Sequence, residues 1–575
     1  APAQSGKRGC IHFEQPLLPV PQLEKTLQTL RQQGYTFGIA TGRPREEALL
    51  PLENYGLLKY FDMKRVTTHA EVAQAEEMLR KRGNSMSLVK PHPYQFLLAA
   101  HPGYQTDMPE QELRPFIVVG DTPSDVNGGH VAGAVVIAVR TGARTQQALS
   151  LLEESGPDFL IENVTKLPRL LETMDSLTTI QKMQFSEREK AERLLRWWFV
   201  KHMHLMAEQV TLTPKAVSLN SFNGFYQAQG ERYFFKTHVE EQGILEEYYH
   251  AELLREAGYN IVRPVRTLHE QGQQMVIYPV VDWPVMFDLM RAVETSETGE
   301  VNGIDADVLI VAEQRECERL LTIYDKTQRI STAEEQAQAP IHQLFWHRLA
   351  GERYRQFYEG IDVPFPQSNE SISFEQLLTC HWNINGLEMP YTLSELVERA
   401  KIVLDPARAG MSVIGHGDAH FGNVFLEQKR DYLYFDPAFA GRHSPLLDVI
   451  KPLFHNVFAT WMYFPYEIDR DMQITVEIRD TMLVVNHSYT LTPLRKELLQ
   501  TKEMYLLSPL LERLGVNLPD DWLAMMQSAL MCCPLLTMNL FDTTRMPTSI
   551  GWLGLSLAVL MGNNGMQSWK LRADE

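Results

Sequence analysis

The sequence predicts an α/β fold in two parts: a parallel-sheet domain, then an α+β domain with a helical C-terminal portion. Three observations carry this. Short apolar strands alternate with helical segments from residue 21 to about 177, the pattern of a parallel sheet with crossover helices. The texture then changes to "KAVSLNSFNGFYQAQGERYFFKTHV", where apolar and polar residues alternate between Gly and Asn turns as in antiparallel strands. Helical periodicity dominates from about 295 to 405. With 575 residues the chain exceeds the roughly 250 to 300 that one core supports. The expected boundaries are 1–177, 178–282 and 283–575.

Taken in order, residues 21 to 33 read as a helix and "YTFGIAT" as a strand ending at a Thr-Gly turn, with Pro44 placed to open the next helix. "MKRVTT", a helix around 71 to 82, "SLVKPHP", "PFIVVGD" and "AVVIAVRTG" continue the series. A helix over "FSEREKAERLLRWWFVKHMHLMAEQV" leads to the antiparallel strands, followed by the helical "EEYYHAELLREAG" and the strand "QMVIYPVV". The polar patch near 293 to 340 is expected to be an insertion or a mobile connection. In "HQLFWHRLAGERYRQFYEG", Leu344, Trp346 and Leu349 have near-helical spacing and are expected to pack rather than line a pocket.

A net charge of -18 argues against a protein that grips nucleic acid through its phosphates. Cys10, Cys317, Cys380, Cys532 and Cys533 are scattered without CxxC spacing, so neither a disulfide framework nor a zinc site is expected, and a cytoplasmic location fits. "WLAMMQSALMCCPLLTMNLF" at 522–541 has nearly the length of a membrane span but carries Gln527, Pro534 and Asn539; a buried helix pair is expected instead.

The segment "GHGDAHFGNVF", residues 415–425, cannot be a regular helix and sets Asp418 and Asn423 five residues apart. Phosphoryl transfer from a nucleoside triphosphate needs a carboxylate to orient the attacking hydroxyl and oxygen ligands for magnesium close by. Asp418 and Asn423 suit these roles, and "DYLYFDPAFAG" brings a second carboxylate, Asp436, at a strand end thirteen residues after Asn423, a hairpin spacing. A strand lysine that holds phosphates is offered by Lys236 in "YFFKTH", and a helix glutamate to position it by Glu246, Glu247 or Glu252, with Glu247 preferred. A turn around Gly224 in "NSFNGF" is expected to cover phosphates with backbone N–H groups. His416 is expected to bond backbone near the loop, and His420 to have only a surface or packing role.

"GHGDAHFGNVFL" followed by "YFDPAFAGRHSPLLDV" resembles the catalytic and metal loops of the aminoglycoside phosphotransferase and choline kinase families, relatives of protein kinases, over roughly residues 200 to 575. The resemblance implies a bilobal kinase-like fold. It also implies Asp418 as catalytic base, Asn423 and Asp436 as magnesium ligands, Lys236 as ligand of the ATP phosphates, and "YPVV" from Tyr278 through Val280 as the adenine hinge.

In the first domain, "FGIATGRP", "LVKPHP" and "IVVGDTPSDVNGG" fall at predicted strand ends, where sites in parallel sheets collect. Thr41 suits a phosphate oxygen, Lys90 its charge, and Asp121 with Asp125 a magnesium ion. The order resembles motifs two, three and four of the haloacid dehalogenase superfamily, mostly phosphatases with a Rossmann-like sheet, over about residues 15 to 175. The resemblance also implies a first motif, DxD, whose aspartates form the phosphoaspartate and serve as acid and base. Residues 1 to 40 hold no aspartate, and the first in the chain is Asp62. Asp305 and Asp307 follow a polar stretch and do not replace the motif. The expectation is an upstream segment carrying these aspartates, ahead of the alternatives of a separate chain or a degenerate scaffold.

The expected function is a small-molecule kinase that uses ATP or GTP with Mg2+ on a hydroxyl of a metabolite, sugar or antibiotic-like acceptor, fused to a phosphatase-like domain without its nucleophile. The alternatives are a nucleotide-binding pseudokinase scaffold and a phosphatase regulated by a nucleotide-sensing domain. Neither a nucleic-acid nor a membrane partner is expected.

Overall fold

The computed structural model describes all residues except 1–16, 107–112, 214–220, 239–243, 269, 271, 367 and 566–575. The chain divides into two compact units, Ala1–Ile244 with Val265–Val280, and Leu245–Pro264 with Val281–Glu575.

The first unit opens with α1 (Val20–Gln32), β1 (Phe37–Ala40), α2 (Arg45–Asn54), β2 (Phe61–Thr67), α3 (His69–Lys81) and α4 (Tyr94–Ala100). The series continues through β3 (Ile117–Gly120), α5 (Pro123–Val131), β4 (Val135–Val139), α6 (Gln146–Glu154) and β5 (Phe159–Ile161) to α7 (Leu167–Thr173) and α8 (Leu177–Met183). The strand pairs are parallel, as the strand–helix alternation predicts. Residues 84–93, which include "SLVKPHP", form bends and turns rather than a strand. Pro91 and Pro93 deny ladder donors there.

The parallel strands form two separate sheets, β1-β2 and β3-β4-β5. Phe37 and Ile117 pack on one core, and Ala40 and Val118 on another, so both sheets serve the same interior. Among the described residues no pairing joins β1 to β3. β4 is buried along its whole length, whereas Val119 of β3, an edge strand among the described residues, is 42% exposed.

Residues beyond 177 join the same core. In α9 (Arg188–Met203) the buried residues are Ala191, Leu194, Leu195, Trp198, Phe199 and Met203, an apolar stripe at helical spacing. They pack with Val135 and Ile137 of β4, and with Leu212, Tyr226, Phe235 and Met275 of the next sheet. Each large side chain so buried contributes about 1.5–3 kcal/mol. That sheet is antiparallel, in the order β6 (Gln209–Leu212), β7 (Ser221–Ala228), β8 (Glu231–His238), β10 (Met275–Pro279), β9 (Arg266–Leu268).

The second unit contains most of α10 (Ile244–Ala257), then α11 (Met286–Thr295) and α12 (Ala306–Thr327). The stretch expected to be an insertion or a mobile connection holds α12, a 22-residue helix. Asp305 caps it by accepting Val308 N–H at 3.0 Å, so the Asp305/Asp307 pair serves a helix start. Glu313 and Glu316 are 2% and 4% exposed because buried hydroxyl and ammonium partners meet them. Leu344 and Leu349 are buried and Trp346 packs against the same core. The C-terminal apolar run forms a buried pair of helices, Trp522–Thr537 and Thr548–Asn564. Among the described residues, no helix is long and apolar enough to cross a membrane.

Candidate active site

The second unit builds the segment "GHGDAHFGNVF" as a braced loop. It leaves the strand Gly410–Gly415, central between Arg329–Ser331 and Gly441–His443. Gly417 has φ +77°, and a Cβ there would lie 2.3 Å from the carbonyl oxygen of Phe439, so only glycine makes this turn without displacement. Its N–H donates to Asp448 Oδ1 at 2.7 Å. The fully buried His416 meets Phe435 O through Nε2 at 3.1 Å, the backbone contact expected of it. Burial keeps its pKa below the ordinary histidine value.

Asp418 follows the turn. Its Oδ1 is buried and hydrogen-bonded to no described group; Lys451 Nζ lies 3.8 Å from it, and His420 Nε2 lies 3.8 Å from Oδ2. His420 is more than packing: Nδ1 accepts Gly422 N–H at 3.0 Å, capping the short turn Phe421–Asn423. Asn423 Nδ2 donates to the carbonyl oxygen of Asp418 at 3.0 Å, which fixes the amide's orientation and leaves its oxygen as the atom suited to a cation.

The hairpin Val424–Glu427 / Asp431–Tyr434 brings the second carboxylate to this loop. Val424 pairs with Tyr434, and Phe435 N–H donates to Asn423 O at 3.1 Å, so Asp436 is one residue beyond the position opposite Asn423. Asp436 has φ +55°, a conformation few residues other than glycine adopt and one that recurs at functional sites. Asp418, Asn423 and Asp436 thus belong to one hydrogen-bonded loop pair. Oxygen donors of this kind suit magnesium, which binds through one or two protein oxygens and completes its shell with water and phosphate. Among the described residues, no group of three or more His, Cys, Asp or Glu forms a metal cage.

The first unit holds the strand residues. Lys236 on β8 pairs across to Asn223 of β7 and Val276 of β10, and its side chain is half-buried. Gly224 does not sit in a turn: it lies inside β7 opposite Phe235 and Leu212, and a Cβ would come within 2.3 Å of Thr211 O and 2.8 Å of the Phe235 ring. Its role is close strand and ring approach, and the described turn of this hairpin is at Gln229 and Gly230. Tyr278 is buried on β10, and Val280 N–H donates to Arg232 O at 3.3 Å where the strand ends. Glu247 is on α10, with its side chain outside the described residues; Glu252 pairs with Arg255 at 2.8 Å and Arg263 at 3.7 Å. The strand residues and the loop residues belong to different compact units.

In the parallel-sheet part, Lys90 Nζ donates to Ala40 O at 2.8 Å and to Asp125 Oδ1 at 2.7 Å, and lies 4.6 Å over the Phe96 ring. Asp125 Oδ2 also accepts from Thr122 N and Oγ1, closing the capping box of α5. Asp125, expected with Asp121 to hold magnesium, also caps α5 and pairs with Lys90. Asp121 is exposed at the C-terminal end of β3, and Thr41 closes β1 by donating its N–H to Thr67 O at 3.0 Å. Lys90 links the end of β1 to the first turn of α5, the helix that follows β3.

Three residues around Asp418 were not singled out from the sequence. Asp448 and Lys451 lie on the helix Pro445–Leu453, buried on all its residues, and a charge in so apolar a run was the signal available. The third, Arg348, sits between apolar residues read as packing.

Residues 88–167 match the family described as HAD-hydrolase-like. The chain is 26% identical over 152 residues to a phosphoglycolate phosphatase of Haemophilus influenzae, covering 26% of this chain and 56% of that protein. It is 30% identical over 151 residues to the pyrophosphatase PpaX of Bacillus thuringiensis, covering 26% of this chain and 58% of that one. The chain thus spans a little over half the length of the curated relatives it matches. A solved spectinomycin phosphotransferase in complex with ADP and spectinomycin aligns over 64% of this chain and 99% of its own, at 14% identity and a TM-score of 0.30, too loose a likeness to bear on what this chain does.

Proposed function

We propose that the antiparallel sheet and the helical unit together form a small-molecule kinase that moves the γ-phosphate of ATP or GTP to a hydroxyl. The observation that carries this reading is the braced loop pair, which holds Asp418, Asn423 and the left-handed Asp436 on one hydrogen-bonded framework. Asp418 orients the acceptor hydroxyl and accepts its proton. Asn423 and Asp436 would hold Mg2+, which when bound offsets charge on the phosphates. Lys236, positioned by Glu247, holds the phosphates, and the strand end from Tyr278 to Val280 receives the base. The buried His416 and Asp448 contacts support positioning, since a base that must sit within hydrogen-bond reach of a hydroxyl gains from a rigid loop.

The first domain is proposed as a phosphate-binding sheet, with Thr41 and Lys90 toward phosphate and Asp121 toward magnesium, and with no covalent turnover from this chain. The phosphoryl donor, the metal and the acceptor are tested together by incubating the full chain with Mg-ATP, Mg-GTP and a metabolite mixture and following products heavier by one phosphoryl group. Asp418→Ala is expected to abolish transfer, a loss of at least about 100-fold, while Mg-nucleotide still raises the melting temperature. Unchanged turnover in that variant defeats the assignment; a nucleotide shift without product in the parent chain points instead to a sensor or scaffold.

A further inference from the structure

We propose that the acceptor carries a negatively charged group, a carboxylate or a phosphate, beside the hydroxyl that is phosphorylated, and that Arg348 and Lys451 receive it. This rests on the kinase reading and names its substrate class.

Two cations, Lys451 and Arg348, act on Asp418. Lys451 is 5% exposed, and its nearest described acid is Asp418, at 3.8 Å. Arg348, on the short helix Trp346–Ala350, is half-buried and makes no hydrogen bond or ion pair with any described residue. It nevertheless lies close enough to Asp418, His455 and Cys533 for its charge to act on each. A guanidinium presents five donors, and those of Arg348 meet no described acceptor. Burial and the neighbouring Arg353 bring the Arg348 pKa down to about 10, so it remains charged near neutrality. Arg353 spends one donor on Leu536 O at 3.4 Å and forms no ion pair among the described residues.

The rest of the cluster adds no negative charge. His455 is 4% exposed and takes Tyr463 Oη on Nδ1 at 2.7 Å, while its Nε2 is buried and unbonded among the described groups. Burial and the charge of Lys451 hold it well below the usual histidine pKa, hence neutral. The His420 ring lies 5.5 Å from that of His455, and burial depresses its pKa as well. With Asp436 assigned to Mg2+ in the kinase reading, Asp418 is the carboxylate left to face Lys451 and Arg348. An acceptor bearing several ammonium groups would meet repulsion here, whereas an anion satisfies the guanidinium bidentately and restores balance.

The test uses the full chain, Mg2+ and γ-labelled ATP, with acceptors in matched pairs: glucose 6-phosphate against glucose, gluconate against sorbitol, and kanamycin as a polycation. The expected result is a kcat/KM at least about tenfold higher for the anionic member of a pair. Arg348→Met should raise KM for that member about tenfold and narrow the preference, and Arg348→Lys should restore part of it. Equal or better transfer to the neutral member or to kanamycin overturns the proposal and leaves the kinase reading standing. So does an Arg348→Met effect confined to kcat and equal for both members, which would assign the arginine to the transferring phosphoryl group.

Where transfer is too slow to rank acceptors, calorimetric titration of glucose 6-phosphate and gluconate into protein saturated with a non-hydrolysable Mg-ATP analogue decides. Binding weakened by Arg348→Met or Lys451→Met and kept in Thr41→Val supports the proposal. Absent binding, or binding lost only in Thr41→Val, overturns it. Failure of the kinase reading has its own signature, the absence of any nucleotide binding.

Discussion

Asp448 shows how one buried carboxylate sets the geometry of the loop. It accepts Gly417 N–H at 2.7 Å, Tyr324 Oη–H at 2.5 Å and His443 Nε2 at 3.0 Å while only 4% exposed. Burial alone would raise its pKa, but the bond and charge of His443, then Tyr324 and the Gly417 N–H, outweigh it and hold the carboxyl below the usual value. A depressed carboxyl contributes stability that is complete above its unfolded pKa, near 4, and is lost as pH falls through the lower folded value. Asp448→Ala, which strands three buried donors, is expected to cost about 3–5 kcal/mol. In the parent chain that contribution should fade below about pH 4. Denaturant unfolding across pH checks both, and an Asp448→Ala variant as stable as the parent at pH 7 would show that the bracing is dispensable. His416 was legible at this scale, since a histidine amid apolar residues and glycines needs a backbone partner. Arg348 was not, because a lone arginine between Trp346 and Leu349 reads as the solvated side of a packed helix.

At the scale of elements, α12 is the support for the strand that ends at Asp436. Glu313 accepts Tyr432 Oη–H at 2.8 Å and Lys502 Nζ at 2.5 Å, and Glu316 accepts Tyr434 Oη–H at 2.9 Å, so two helix carboxylates hold two hydroxyls of Asp431–Tyr434. Burial pushes Glu316 up to about 7 against the pull of Arg319 and Tyr434. The sign is opposite to that of Asp448: the fold disfavours the charged form, so stability is lowest above pH 7 and rises as pH falls through about 7 toward the ordinary 4.5. Glu316→Gln keeps an acceptor for Tyr434 and removes the charge. It is expected to be more stable than the parent at pH 8, by an amount on the order of 3 kcal/mol, with the gap closing by about pH 5. Urea midpoints of the two proteins at both pH values decide it, and a gap independent of pH would mean that Glu316 is not the titrating group. A Glu-rich, Gln-rich stretch reads as solvated from its own residues; its burial depends on Tyr432, Tyr434 and Lys502, all more than 100 positions away.

At the scale of the whole molecule, the parallel-sheet segment and the antiparallel sheet share one core through Trp198 and Phe199 of α9, although the change of texture near residue 177 reads as a domain edge. Among the described residues no pairing joins β1 to β3 at the switch point, where ligands bind in such folds, and the chain carries no aspartate before Asp62 to act there as nucleophile. The protein of residues 1–575 is therefore expected not to hydrolyse p-nitrophenyl phosphate with Mg2+, and turnover that Asp121→Ala abolishes would contradict this. By itself the sequence determined the order of parallel and antiparallel sheets, the buried C-terminal helices and the non-helical character of the loop at 415–425, because periodicity and glycine content are local. Only the tertiary structure decided that Gly224 lies within a strand, that Asp125 is engaged by Lys90 and Thr122, and that Arg348 and Lys451 gather near Asp418. Each of those depends on what a side chain meets across the fold, and the free energy of a buried charge is set by that neighbour rather than by the residues beside it in the chain.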